Sequence, residues 1–230
     1  PIVLGLYFYA SKHSKFAYQY ILVAAGIFFY AWWNIYLTPL IIISIIGNFS
    51  FGNLIINCKQ QTLKKKILII SIFLNIIYLT FFKYSDFLIQ NINLLFSSNI
   101  PMLNLPFPLA ISFFTFQTIA YLVDCYDNNI KKPPHLFQYS LFIIFFPQLI
   151  AGPIVRYNYM MPQFVDEKNR FFNYKNFYLG LIVILIGLFK KIFLADNLSI
   201  LVDSGFSNYQ YLDFFGSWLT SLCFTFQIYF

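Results

Sequence analysis

The sequence predicts an all-α integral membrane protein, a multi-span helical assembly with broken or re-entrant segments. Three observations carry that prediction. The residues are 60% hydrophobic and only 10% charged, against roughly 25% charged in a soluble domain. No Asp, Glu, Lys or Arg interrupts Phe16–Cys58 or Phe87–Val123, and each run exceeds the about 20 apolar residues that one crossing helix needs. The apolar stretch Leu105–Phe164 also holds Pro106, Pro108, Pro147, Gly152 and Pro153, with Gln117, Asp124, Gln148 and Arg156 among them. Prolines leave carbonyls without donors, and amides or charges in hydrocarbon need partners or water. That stretch therefore reads as the lining of an interior.

The net charge of +7 comes from basic residues grouped in short loops between apolar runs. This is the positive-inside pattern of membrane insertion and argues against nucleic acid as a partner. Cys58, Cys125 and Cys223 lie in separate segments, which gives neither a disulfide framework nor a metal-ligand spacing. Both ends read as cut: Pro1 is not a translation start and no basic n-region or small-residue cleavage site follows it, and Phe230 falls inside an apolar run. The expectation is that residues 1–230 are the N-terminal portion of a single membrane domain with about six to eight membrane segments and no separate soluble domain.

Taken in order, Ile2–Ala10 is an apolar segment, Ser11–Lys15 a small basic loop, and Phe16–Trp33 a span. Trp32, Trp33 and Tyr36 suit a membrane interface. Asn34, Thr38 and Pro39 turn the chain into a returning span, Leu40–Asn57, where Gly47 and Gly52 would permit close helix approach. Lys59, Lys64, Lys65 and Lys66 form the strongest basic loop, expected to be solvated on the cytoplasmic side. Ile67–Phe82 then reads as a short span, and Asp86–Asn99, with Gln90, Asn91 and Asn93, as a helix lying in the interface.

A helical reading of Pro108–Asp124 puts Gln117, Tyr121 and Asp124 on one face, at i, i+4 and i+7. That face meets either a wet cavity or a hydrogen-bonded neighbour, with Asp124 at headgroup level. Pro147-Gln148 and Gly152-Pro153 break the next apolar run, Leu136–Ile150, as in a re-entrant helix. Arg156 follows, and its fork either holds carbonyls, a carboxylate or a phosphate, or snorkels to headgroups. Tyr157–Lys175 is polar and amphipathic. Asn176–Phe189 is short for a crossing and ends at Lys190 and Lys191, on the wrong side for the charge rule. Phe214–Phe230 begins another span, with Thr220 and Gln227 on one face. No phosphate loop, HExxH, GxSxG or metal cluster occurs, and His13 and His135 are lone loop histidines. Residue chemistry alone names no reaction.

The blocks LPFPLAISFFTFQTIAYLVDCY (105–126) and FFPQLIAGPIVRYNYMMPQF (145–164) resemble the membrane-bound O-acyltransferase family. The resemblance is strongest to its bacterial branch of alginate O-acetyltransferases, with peptidoglycan O-acetylating and teichoic-acid D-alanylating relatives nearby. FFKY at Phe81–Tyr84, GLFKKIFLADN at Gly187–Asn197 and FQIYF at Phe226–Phe230 follow in that branch's order. The resemblance implies an enzyme of the bacterial inner membrane that moves an acetyl group from a cytoplasmic donor, acetyl-CoA or an acyl carrier, to hydroxyls of an extracytoplasmic glycan. It implies no bound cofactor, and partner acetyltransferase proteins in the membrane or periplasm. The family's catalytic histidine is expected beyond Phe230, so the chain by itself is expected to be inactive. Gln117, Tyr121, Asp124, Gln148, Arg156 and Gln227 are the candidates for lining the path. Two other classes stay open: a transporter or channel subunit, which inverted repeats would mark, and a catalytically silent assembly partner.

Overall fold

A computed structural model describes residues 2–13, 17–150 and 152–230, which are helical with no strand among them. They divide into two compact units, Pro1–Phe171 and Phe172–Phe230. Three helical stretches are long and apolar enough to cross a membrane: Ile35–Asn57, Gln61–Phe96 and Tyr174–Ser207. The protein is an all-α membrane protein, as its hydropathy predicts.

In the first unit, α1 (Ile2–His13) packs on α2 (Ala17–Trp33), and α2 packs on α6 (Leu136–Ile144). Helix α3 (Thr38–Asn57) lies against both α4 (Gln61–Phe96) and α5 (Ile111–Tyr126). The expected turn between α2 and α3 is present. Asn34 accepts from the Tyr36 amide at 2.9 Å and opens a short 3-10 turn, Ile35–Leu37. Pro39 then sits in the first turn of α3, where its missing N–H has no consequence. The basic loop expected at Ser11–Lys15 is helical through Ser11–His13, since nothing there breaks the helix. Ser14, Lys15 and Phe16 lie outside the described residues.

Two expectations are corrected around α4. Lys64, Lys65 and Lys66 belong to its first turns and not to a loop. Ile67–Phe82 and the polar run after it form one unbroken helix to Phe96, because Gln61–Phe96 contains neither Gly nor Pro. The polar residues that suggested an interfacial helix hold the following loop instead. The Asp86 carboxylate accepts from the Leu103 and Asn104 amides at 2.8 and 3.1 Å. Asn93 donates to the Ile100 carbonyl and accepts from its amide, both at 2.9 Å. This strapped loop, with Asn104 and Ala110 at positive φ, delivers the chain to α5 at Ile111, after Pro108.

Close approach decides where helices meet. A Cβ on Gly26 of α2 would collide with the Ile144 carbonyl at the end of α6. One on Gly52 of α3 would lie 2.6 Å from the Tyr121 ring. Gly47, the other glycine expected to matter, faces open space. Around these contacts Tyr30, Ile41, Ile55, Phe114, Tyr139 and Phe142 form a core with almost no exposed surface.

In the second unit, α9 (Tyr174–Phe189) does not stop at Lys190. It continues through a π-helical segment, Lys190–Ala195, into α10 (Asp196–Ser207), which packs on α11 (Phe214–Tyr229). The expected short span is thus a 34-residue helix. No proline ends it, and the π segment absorbs one extra residue per turn. Lys191 of that segment is ion-paired at 2.7 Å to Asp196, the first residue of α10. No side chain of α9 is buried within its unit, as in an apolar helix whose solvent is lipid.

Candidate functional site

The proline-broken stretch does form two helical pieces. Helix α6 ends at Ile144, Phe145 is extended, and α7 (Phe146–Leu149) carries Pro147 in its first turn. The chain then turns at Gly152, whose amide donates to the Gln148 carbonyl at 2.9 Å. A Cβ on Gly152 would sit 2.6 Å from Gln148 Cα, so only glycine fits that turn. Irregular backbone reaches Arg156, which is extended, and α8 (Tyr157–Val165) follows.

Ending α6 early leaves its last carbonyls without in-helix donors. Gln117 of α5 meets one of them: its Nε2 donates to the Phe142 carbonyl at 2.7 Å, in a buried position. The predicted face of α5 is thus entirely interior, with Gln117 5%, Tyr121 0% and Asp124 4% exposed. The Tyr121 ring packs at a tilt against those of Tyr139 and Tyr157, with centroids 4.6 and 5.6 Å away. Gln117 and Tyr121 therefore face packed protein, one of the two environments the sequence left open.

Asp124 sits in a polar knot at the end of α5. Its Oδ1 accepts from Asn129 Nδ2 at 3.0 Å, and Arg156 Nη1 lies 3.9 Å from the same oxygen. Its backbone carbonyl receives the Asn129 and Ile130 amides at 3.0 and 3.3 Å. Asp124 Oδ2 is buried and has no partner among the described residues. Lys64, expected as a solvated loop lysine, is 4% exposed and joins the knot. Its Nζ donates to the Tyr126 carbonyl and to Asn128 Oδ1, both at 2.7 Å. Asn158 of α8 donates to the Asn129 carbonyl at 3.0 Å.

Gln148 is half-buried and lines a cavity of about 430 Å³ with Tyr7, Val155, Met160, Gln163 and Asn169. Gln227 belongs to the second unit, half-buried on α11, four residues after buried Cys223. The six candidates are thus brought together only in part. Gln117, Tyr121, Asp124 and Arg156 share one connected region, Gln148 lines a separate cavity, and Gln227 stands in the other unit. His13 and His135 are both exposed. The first lies 2.8 Å from the Tyr9 carbonyl, and the second caps α6 with Gln138. Among the described residues no three His, Cys, Asp or Glu side chains are grouped to hold a metal.

Sequence reasoning missed Lys64, Asn128, Asn129 and Asn158. Only the run Asp-Asn-Asn after α5 hinted at them, as a turn-forming cluster.

A helical, proline-broken and glycine-turned segment is what the family comparison also matches. The family model described as MBOAT, membrane-bound O-acyltransferase family, fits residues 126–230. The peptidoglycan O-acetyltransferase of Helicobacter pylori is 43% identical over 91% of this chain and 44% of its own length. Over residues 126–230 the chain is similar to the membrane-bound O-acyltransferase family. The probable alginate O-acetylase AlgI of Pseudomonas syringae is 30% identical over 100% of the chain and 44% of its own length. Its counterpart in Pseudomonas aeruginosa is 29% identical with the same coverage. The chain spans less than half the length of these relatives. No solved structure matches it. The FFPQLIAGPIVR block, Arg156 and the long π-interrupted helix lie within the stretch that the family model fits, whereas Asp124 and Lys64 of the knot lie before it.

Proposed function

We propose that this chain is part of an O-acetyltransferase that modifies hydroxyls of a cell-envelope glycan. Peptidoglycan is the favoured acceptor and alginate-type polysaccharide the second. One observation carries the reading: 43% identity to a peptidoglycan O-acetyltransferase over 91% of the chain, against 30% to an alginate O-acetylase. The protein sits in the bacterial inner membrane as a multi-pass protein, with the lysine-rich start of α4 toward the cytoplasm. The acetyl donor, acetyl-CoA or an acyl carrier, comes from that side, and partner acetyltransferases on the other side complete delivery.

Transfer to a sugar hydroxyl needs a general base whose conjugate acid titrates near neutrality. The family resemblance assigns that task to a histidine following Phe226–Phe230, a role suited to neither exposed His13 nor the capping His135. The side chains of this chain would then act by holding shape. Gln117 ties α5 to the broken end of α6, and Asp124 orients Arg156. Gln148 and Gln227 offer amide groups to passing polar substrate.

Deleting the gene and measuring base-labile acetate on purified peptidoglycan tests the reading. Acetate should fall and return on complementation with the full-length gene. Unchanged peptidoglycan acetate, with a loss instead from another polysaccharide, would move the acceptor. Unchanged acetate on every envelope glycan would end the assignment.

A further inference from the structure

The basic residues that the sequence scatters over three segments, Lys64–Lys66, Lys131–Lys132 and Arg156, meet at one end of the first unit. Lys64 binds the loop after α5, and Asn158 at the start of α8 binds the same loop. These bonds bring the exposed side chains of Lys65, Lys66, Lys131, Lys132 and Arg156 to the same end. The carboxylates there are Asp127, which is exposed, and Asp124, which is buried. Cations outnumber accessible anions, so the surface carries a positive potential.

Arg156 is the unusual member. Its side chain is 65% exposed, and its approach to Asp124 at 3.9 Å is too long for a hydrogen bond. Asp124 therefore attracts the guanidinium without consuming its donors. The fork stays free for an acceptor with two oxygens, the geometry of a phosphate. Apolar side chains border these cations directly. Ile69, Ile70 and Phe73 follow Lys66 on α4, Leu136 and Phe137 follow Lys132, and Ile154 precedes Arg156, all exposed. A cationic rim on an apolar exterior lies at the depth of lipid headgroups, not of a soluble anion.

The geometry points to this end of the first unit as a docking surface for anionic phospholipid headgroups, with Arg156 taking the phosphate and Asp124 positioning it. Charge complementarity selects the occupant: an anionic headgroup neutralises the surplus cations, and a zwitterionic one does not. Each exposed cation is worth about a fivefold gain in affinity for an anionic surface.

Lipid binding to the full-length protein in neutral detergent, followed by native mass spectrometry, tests this without requiring acyl transfer. Phosphatidylglycerol should bind more tightly than phosphatidylcholine, and Arg156→Gln should cut that preference about fivefold, with a smaller loss for phosphatidylcholine, whose phosphate is balanced by its choline. Arg156→Lys should keep part of it. The double variant Lys131→Gln/Lys132→Gln changes only exposed loop residues, so it reads the same preference even if Arg156 variants fold poorly. Equal binding of the two lipids, or an undiminished preference in both the Arg156→Gln and double-lysine variants, would overturn the proposal. So would displacement of phosphatidylglycerol by millimolar inorganic pyrophosphate, which would assign the surface to a soluble phosphate.

Discussion

Asn48 and Asn75 close a reciprocal amide pair between α3 and α4. Asn48 Nδ2 donates to Asn75 Oδ1 at 3.1 Å, and Asn75 Nδ2 returns a bond to Asn48 Oδ1 at 2.6 Å. The second proton of each amide goes to its own helix, to the Ser44 and Ser71 carbonyls at 2.9 and 2.8 Å. Both residues are 5% exposed, so the pair fixes the register of two membrane helices without leaving a buried donor open.

Replacing one partner should therefore cost more than replacing both. Asn48→Leu or Asn75→Leu is expected to destabilise by about 1–3 kcal/mol, the cost of an unmatched buried amide. The double variant should recover part of that loss. Thermal unfolding in detergent of the two single variants and the double completes the cycle.

Glycine substitutions should separate by what their new Cβ meets. Gly26→Ala drives a methyl into the Ile144 backbone carbonyl, and backbone cannot rotate away as a side chain can. A loss of about 1–3 kcal/mol is expected, as for other overpacked sites. Gly47→Ala meets nothing and should gain up to about 1 kcal/mol from helix propensity. Melting temperatures should shift in opposite directions.

Lys64 and Lys65 are neighbours with different fates. Lys64→Met removes two bonds that tie α4 to the loop after α5, at an expected cost of about 1.5–3 kcal/mol for donors on a charged group. Lys65→Met, at an exposed position, should stay within about 0.5 kcal/mol of wild type. Limited proteolysis should cut residues 127–133 faster in the first variant only.

Gln117→Leu keeps the volume near that of glutamine but withdraws the donor from the Phe142 carbonyl. The broken end of α6 should loosen by about 1–3 kcal/mol, and glycan acetate in cells carrying the full-length variant should fall. Gln117→Glu places a carboxylate opposite a carbonyl and should be worse than Leu. Equal acetate at equal protein level in wild type and both variants would remove Gln117 from any supporting role.

What could be read from the chain alone was local chemistry. Apolar runs without charge announced the membrane. Pro147 and Gly152 announced the break between α6 and α8, since a missing N–H and a missing Cβ act on the residues beside them. The helical period put Gln117, Tyr121 and Asp124 on one face. Charge also misled: it ended a span at Phe82 within α4 and another before Lys190 after α9, boundaries that the backbone had no reason to make.

Partnership was decided only by the tertiary structure. Nothing near Lys64 in sequence says that Tyr126 and Asn128 will cover it, and nothing near Asn48 names Asn75. Such pairs depend on how α3, α4 and α5 cross, and the α3–α5 crossing is close because Gly52 leaves room for the Tyr121 ring. Hydropathy is a property of each residue, so a linear reading recovers it. Burial of a charge is a property of what lies opposite, which exists only once the helices are packed.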